Sequence, residues 1–152
     1  RRSATGGMRC RCSTATLAAY RARVSGPLLD RFDIRITMET ISGASLFEED
    51  GPDQESSSDV SVRVELARER AFLRGQQGSN RQLQWKDRQR WAPLGSRAKK
   101  FLIECGEQGD LSTRGLTRLL RLGRTIADLR AGNRIEEVDM IEALSLRGPG
   151  WS

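Results

Sequence analysis

From Asp59 onward the apolar residues return every three to four positions, and no alternating run interrupts them. Asp59 is expected to cap a long helix through about Gly75, with Val60, Val64, Ala67 and Ala71 on one face. Gly75 to Asn80 breaks it. Gln82 to Arg90 fits neither period, although Leu83, Trp85 and Trp91 can anchor it. Ser96 to Gln108 reads as a helix with Phe101, Leu102 and Cys105 inward, ended by Gly109. Ser112 caps the next helix, to about Leu129, whose apolar stripe is Leu116, Leu119, Leu120, Gly123, Ile126 and Ala127. Gly132-Asn133 turns the chain into a last helix, Glu136 to Leu146, with Val138, Ile141, Ala143 and Leu144 apolar. Residues 59–152 therefore predict a bundle of about four helices.

The preceding part differs. Arg1 to Ser13 is rich in Arg, Gly and Ser and is expected to be irregular. Thr14 to Val24 reads as a short helix capped by Ser13 or Thr14, and Pro27 can open a further turn that points Leu28 and Leu29 at a core. Asp33 to Thr40 alternates, with Ile34, Ile36 and Met38 on one face and Arg35, Thr37 and Glu39 on the other, as in a half-buried strand. Residues 42–58, with Gly43, Gly51, Pro52, acidic residues and a serine run, read as a flexible linker. The expected fold is mainly α: a first unit at 1–41 with one strand, a linker at 42–58 and a helical bundle at 59–152.

At 152 residues and 17.0 kDa the chain can bury one modest core. Its formal charge is +6. That suits a nucleic-acid or phosphate partner, or equally a set of solvated helix faces. Histidine is absent, which excludes histidine acid–base chemistry and histidine metal ligands. Three cysteines do not make a disulfide framework, and a reducing cytoplasm is the simpler setting. No apolar run approaches the ~20 residues of a membrane span.

Few residues carry candidate chemistry. Arg31, between Asp30 and Asp33 at the mouth of the predicted strand, offers planar donors matched to phosphate oxygens. A salt bridge to either aspartate would instead only order the turn. Arg114 lies two residues after the Ser112 cap, where a positive charge opposes the helix dipole; that suits a phosphate, or simply an exposed first turn. Arg118 and Arg121 continue its face and read as solvated, with Arg124 pairing to Asp128. Arg63, Arg68, Arg70 and Arg74 alternate with Glu65 and Glu69 like ordinary surface ion pairs. Cys10 and Cys12 are half of a zinc pattern, but too few further ligands exist to complete it, so no metal site is assigned. Trp85 and Trp91 among Arg81, Lys86, Arg88 and Arg90 could stack on bases, although anchoring the segment is the commoner use.

The run Tyr20 to Asp33, with Ser25-Gly-Pro-Leu-Leu-Asp-Arg31, resembles the arginine-finger region of the magnesium-chelatase-like AAA+ ATPases, the ComM/YifB group. Leu111-Ser-Thr-Arg114 through Ile126-Ala-Asp-Leu129, followed by Ile135 and Glu142-Ala-Leu144, resembles that family's sensor-2 and final helices. Ser56 to Arg68 resembles the start of its C-terminal domain. The blocks stand in the family's order and cover nearly all of the chain after Tyr20.

The resemblance implies that residues 1–41 end an α/β AAA+ core and that 59–152 form its lid. It makes Arg31 a finger acting in trans and Arg114 the sensor-2 contact to ATP phosphate. It further implies ATP and magnesium in a parent protein, a homo-oligomeric ring, a hexamer by that resemblance, and DNA remodelling such as branch migration. The phosphate loop G-x-x-x-x-G-K-[ST] and the magnesium-binding acidic pair of that family are missing from these residues. The chain is therefore expected to be the C-terminal piece of a longer ATPase or a truncated product, with no cofactor or catalysis of its own. The rival expectation is a standalone basic helical module that binds nucleic acid or a protein without ATP.

Overall fold

A computed structural model describes residues 12–23, 31–36, 38, 55–108 and 111–147. Within them lie the helices α1 (Thr14–Ala22), α2 (Ser57–Leu73), α3 (Arg88–Trp91), α4 (Ser96–Glu107), α5 (Thr113–Leu129) and α6 (Glu137–Leu146). Two 3₁₀ turns, Asn80–Gln82 and Trp85–Asp87, join α2 to α3. The mainly helical expectation holds.

Helix α5 is the hub. It packs against α2, α4, α6 and the first 3₁₀ turn. Its stripe supplies Leu119, Leu120, Ile126 and Ala127 to a core completed by Leu83, Ala92, Ala98, Leu102, Cys105, Ile135, Met140 and Ala143. Gly123 permits the close crossing of α5 and α6: a Cβ there would lie 2.8 Å from Met140 Sδ. Ser112 caps α5 as predicted, its Oγ accepting the Gly115 N–H at 3.1 Å.

At α2 the cap is Ser56, three residues before the predicted one; its Oγ accepts the Asp59 N–H at 3.2 Å. Either residue type can fill this role, and the upstream one starts the helix earlier. No residue of α2 is buried, and only Val64, Ala67, Arg70 and Ala71 are half-buried, so the helix rests on the bundle along a narrow strip. It ends in a Schellman motif: Gly75 (φ 71°) donates to Phe72 O and Gln76 donates to Ala71 O. Helix α5 ends in the same way, with Ala131 (φ 66°) donating to Asp128 O and Gly132 to Ala127 O.

Of the four apolar positions predicted on the last helix, Ala143 alone is buried. Val138, Ile141 and Leu144 are exposed, while Asp139, Met140 and Ala143 are buried. Apolar residues lie on both sides of α6, so periodicity alone did not choose between them. The strand predicted for residues 33–40 is also not formed in the part that is described. Ile34, Ile36 and Met38 are exposed. A strand needs a ladder partner, and among the described residues the isolated bridge is a parallel one between Leu94 and Ile135. The predicted turn at Pro27, Leu28 and Leu29, the residues 1–11 and most of the 42–58 linker lie outside the described residues.

Candidate functional site

Arg114 is the second residue of α5, exposed, in the turn that Ser112 caps. The free N–H groups of a helix start and a guanidinium beside them both favour an anion. Arg118 lies one turn further along the same face and is far less accessible: 12% of its side chain is exposed. Its Nε is 3.4 Å from Asp33 Oδ1. Arg35 N–H donates to Leu146 O at 2.7 Å. These two contacts bring the segment carrying Arg31 against the bundle, beside the start of α5 and the end of α6.

Arg31 itself is exposed. Asp33, one of the aspartates that could have neutralised it, pairs with Arg118 instead; Asp30 lies outside the described residues. The described geometry gives no direct contact between Arg31 and Arg114.

Behind the start of α5, sequence reasoning missed a buried polar cluster near its far end. Arg124 pairs with Asp128 as expected, but it does so fully buried. Its Nη2 donates to Gly132 O at 2.6 Å and lies 2.9 Å from Asp128, and its Nη1 donates to Asn133 O at 3.3 Å. Asp128 also accepts both Nη groups of Arg74, and an Nδ2–H of Asn80 at 3.0 Å. Asn80 donates to Thr125 Oγ1 as well. Burial lowers the Arg124 pKa, the Asp128 charge opposes that, and the Arg74 charge adds to it. The guanidinium nonetheless stays charged at neutral pH. The available signal was register: Arg124 follows Leu120 by four residues and precedes Ala127 by three, on the stripe that faces the core. Arg121, read as solvated, is half-buried and donates from Nε to Leu83 O at 2.8 Å.

A second charged link fixes the α5–α6 turn. Arg130 donates to both oxygens of Asp139 at 2.9 and 2.8 Å, and Asp139 accepts the Glu136 N–H at 2.7 Å in a capping box. Burial pushes the Asp139 carboxyl up, but the hydrogen bonds from Arg130 and Glu136 and the charges of Arg130 and Arg124 leave it below its ordinary value.

The two tryptophans are half-buried anchors that carry cations. Arg88 lies 4.8 Å over the ring of Trp85 and Arg90 lies 4.3 Å over Trp91. Trp85 also edges an apolar groove of about 580 Å³ together with Pro93, Leu94, Leu102, Ile103 and Leu116. Among the described residues no three His, Cys, Asp or Glu side chains converge as metal ligands. No described helix is long and apolar enough to cross a membrane.

Comparison with known proteins agrees with the order of these elements. Residues 54–147 match the family described as magnesium chelatase, subunit ChlI C-terminal, and residues 3–46 match magnesium chelatase, subunit ChlI. An uncharacterized protein of Mycobacterium tuberculosis is 37% identical over 161 residues, covering 93% of this chain and 28% of its own length. Competence protein ComM of Haemophilus influenzae is 33% identical over 141 residues, covering 93% and 27%. The uncharacterized protein YifB of Salmonella typhimurium is 32% identical over 137 residues, covering 90% and 27%. The chain thus spans little more than a quarter of the length of these relatives. With α5, its Ser112 cap and the helices around it inside the matched span, the chain belongs to the magnesium-chelatase-like family, in the group that includes YifB and ComM.

Proposed function

We propose that this chain supplies the lid and the arginine finger of an ATP-driven ring. In this reading Arg114 contacts the phosphates of ATP held by its own subunit, and Arg31 reaches the nucleotide of the next. The carrying observation is the pairing of Asp33 with Arg118. It leaves Arg31 exposed while docking its segment beside the turn that bears Arg114. An exposed guanidinium can stabilise charge that develops on a transferring phosphoryl group. Magnesium, when bound with ATP, neutralises phosphate charge; its ligands are not assigned to this chain. The ring is a homo-oligomer, a hexamer by family resemblance, and its substrate is DNA, as in branch migration.

The test is a chimaera in which this chain replaces the matching segment of full-length ComM. Arg31→Ala should lower kcat by about 10³–10⁵ with nucleotide binding nearly intact. Arg114→Ala should weaken nucleotide binding or its effect on lid position. Full hydrolysis by an assembled Arg31→Ala ring would sink the finger assignment.

One observation favours a second reading, a basic module that binds nucleic acid without ATP. Residues 81–100 carry seven Lys and Arg side chains against the single carboxylate of Asp87, a net +6 equal to that of the whole chain. Binding of single-stranded DNA by the isolated chain, weakened by salt and by Arg88→Ala with Arg90→Ala, would support it; affinity indifferent to both would remove it.

A further inference from the structure

Arg118 has a task of its own. We infer that it is a positioning residue: by holding Asp33 it fixes the segment bearing Arg31 to α5, so that a displacement of α5 at Arg114 is carried to Arg31. The inference rests on the proposed roles of Arg31 and Arg114, but the docking it describes can be measured without them.

Three observations carry it. The first is the accessibility of the pair. The Arg118 side chain is 12% exposed and that of Asp33 is 57% exposed. A guanidinium drawn this far from water needs a carboxylate, and the one paired with it here is Asp33. The carboxylate, by contrast, loses little by staying in place, because it keeps most of its contact with solvent. The second is the backbone bond from Arg35 N–H to Leu146 O at 2.7 Å. It ties the same segment to the last residue of α6, next to the buried Arg147. Two attachments to two helices fix the orientation of a short segment, where one would leave a pivot. The third is register. Arg114 and Arg118 are four residues apart, so they stand one above the other on α5. Asp33 is two residues from Arg31. The path from Arg114 to Arg31 is therefore one helical turn, one ion pair and two residues of backbone.

Lysine would be a poor substitute for Arg118. Its charge sits at the tip of the stem, whereas the contact with Asp33 is made at 3.4 Å by Arg118 Nε, part-way along the side chain. Arg118 touches neither ATP nor the reacting atoms in this reading. Its effect passes through Asp33.

The experiment has two arms. In the chain as it stands, hydrogen exchange at the Arg35 amide reports docking. Asp33→Ala removes the exposed partner and leaves the bundle core untouched, so it tests the pair even if Arg118→Ala fails to fold. It should speed exchange at Arg35 by about tenfold, with exchange at Leu119 and Leu120 unchanged. Asp33→Glu should restore protection. Unchanged exchange at Arg35 in Asp33→Ala would overturn the docking role, whatever Arg31 does. In the ComM chimaera, Arg118→Lys and Asp33→Ala should lower kcat about tenfold with KM for ATP little changed, and Asp33→Glu should recover it. If Arg31→Ala abolishes hydrolysis but these variants leave kcat intact, the transmission is refuted while the finger stands. If Arg31→Ala also leaves kcat intact, the finger reading fails and takes the transmission with it. Loss of kcat in both sets, with Asp33→Glu rescue, supports the inference.

Discussion

Arg74, at the end of α2, grips Asp128 in the last turn of α5 through both of its terminal nitrogens, while Arg124 holds the same carboxylate from within α5. One buried carboxylate therefore joins the two helices through residues 54 positions apart in sequence. Asn80 adds the 3₁₀ turn to the same point. This charged joint adds to the narrow strip of half-buried residues by which α2 rests on the bundle.

That arrangement predicts a sharp contrast among arginines. Arg124→Ala should destabilise the chain by about 3–5 kcal/mol, because it leaves Asp128 under-compensated and two carbonyls without a donor. Arg31→Ala and Arg114→Ala, both exposed, should change stability by less than about 0.5 kcal/mol. Chemical denaturation followed by circular dichroism separates the two classes. Equal, small effects at all three positions would mean that the buried cluster contributes little.

The two Schellman motifs offer an internal comparison. At α2 the left-handed position is Gly75; at α5 it is Ala131 with φ 66°. An L-residue is strained there, so Ala131→Gly should stabilise the chain by up to about 1 kcal/mol after the added freedom of the unfolded glycine is subtracted. Gly75→Ala should move the midpoint the other way. A fall in stability with Ala131→Gly would contradict the strain.

Asp139 should dominate part of the acid limb. Its folded pKa lies below the ordinary value. Its stabilising contribution is then complete above the unfolded carboxylate pKa of about 3.9 and is lost as pH falls through the lower folded value. Asp139→Asn should be less stable at pH 7 and should show a shallower loss between about pH 5 and 2. Parallel stability curves for the two proteins would rule out this linkage.

The purified chain mixed with ATP and magnesium should release no phosphate above the blank, since these residues contain no phosphate loop. Turnover that survives further purification and scales with protein would refute this.

In the chimaera, mixing Arg31→Ala subunits with subunits defective only in the phosphate loop should restore part of the activity. An interface at which the Arg31→Ala subunit holds the nucleotide and the phosphate-loop mutant supplies Arg31 is then an intact composite site. Subunits that lack both Arg114 and the phosphate loop should give no such rescue of a phosphate-loop mutant, because both defects fall in the same half-site. Rescue by both mixtures alike would argue against a finger acting in trans.

The helices were legible in the sequence because local signals agreed: the Ser112 cap, the stripe from Leu116 to Ala127 and the glycine break at Gly75 all point the same way. The face of α6 was not legible, because Val138, Ile141 and Leu144 compete with Met140 and Ala143, and only contact with α5 decides between them. Nor was the burial of Arg124. Its spacing to Asp128 was visible, but the partners that make burial tolerable, Arg74 and the Gly132 and Asn133 carbonyls, come from elsewhere in the chain. Of the candidate site, Arg31 and Arg114 are proposed from motif resemblance. The link between them through Asp33 and Arg118 depends on a fold contact across 85 residues of sequence, which no local pattern encodes.

The bridge between Leu94 and Ile135 is small, but it closes on both sides: Ile135 N–H donates to Pro93 O, and Gly95 N–H donates to Ile135 O, each at 2.8 Å. A Cβ at residue 95 would require the carboxylate of Glu136, the N-cap of α6, to move aside. The entrances of α4 and α6 are thus stitched together by backbone rather than by exchangeable side chains. Force applied to either helix start is shared by the other, and the bundle should respond to a push as a stiff lever with its fulcrum at this seam, instead of yielding helix by helix.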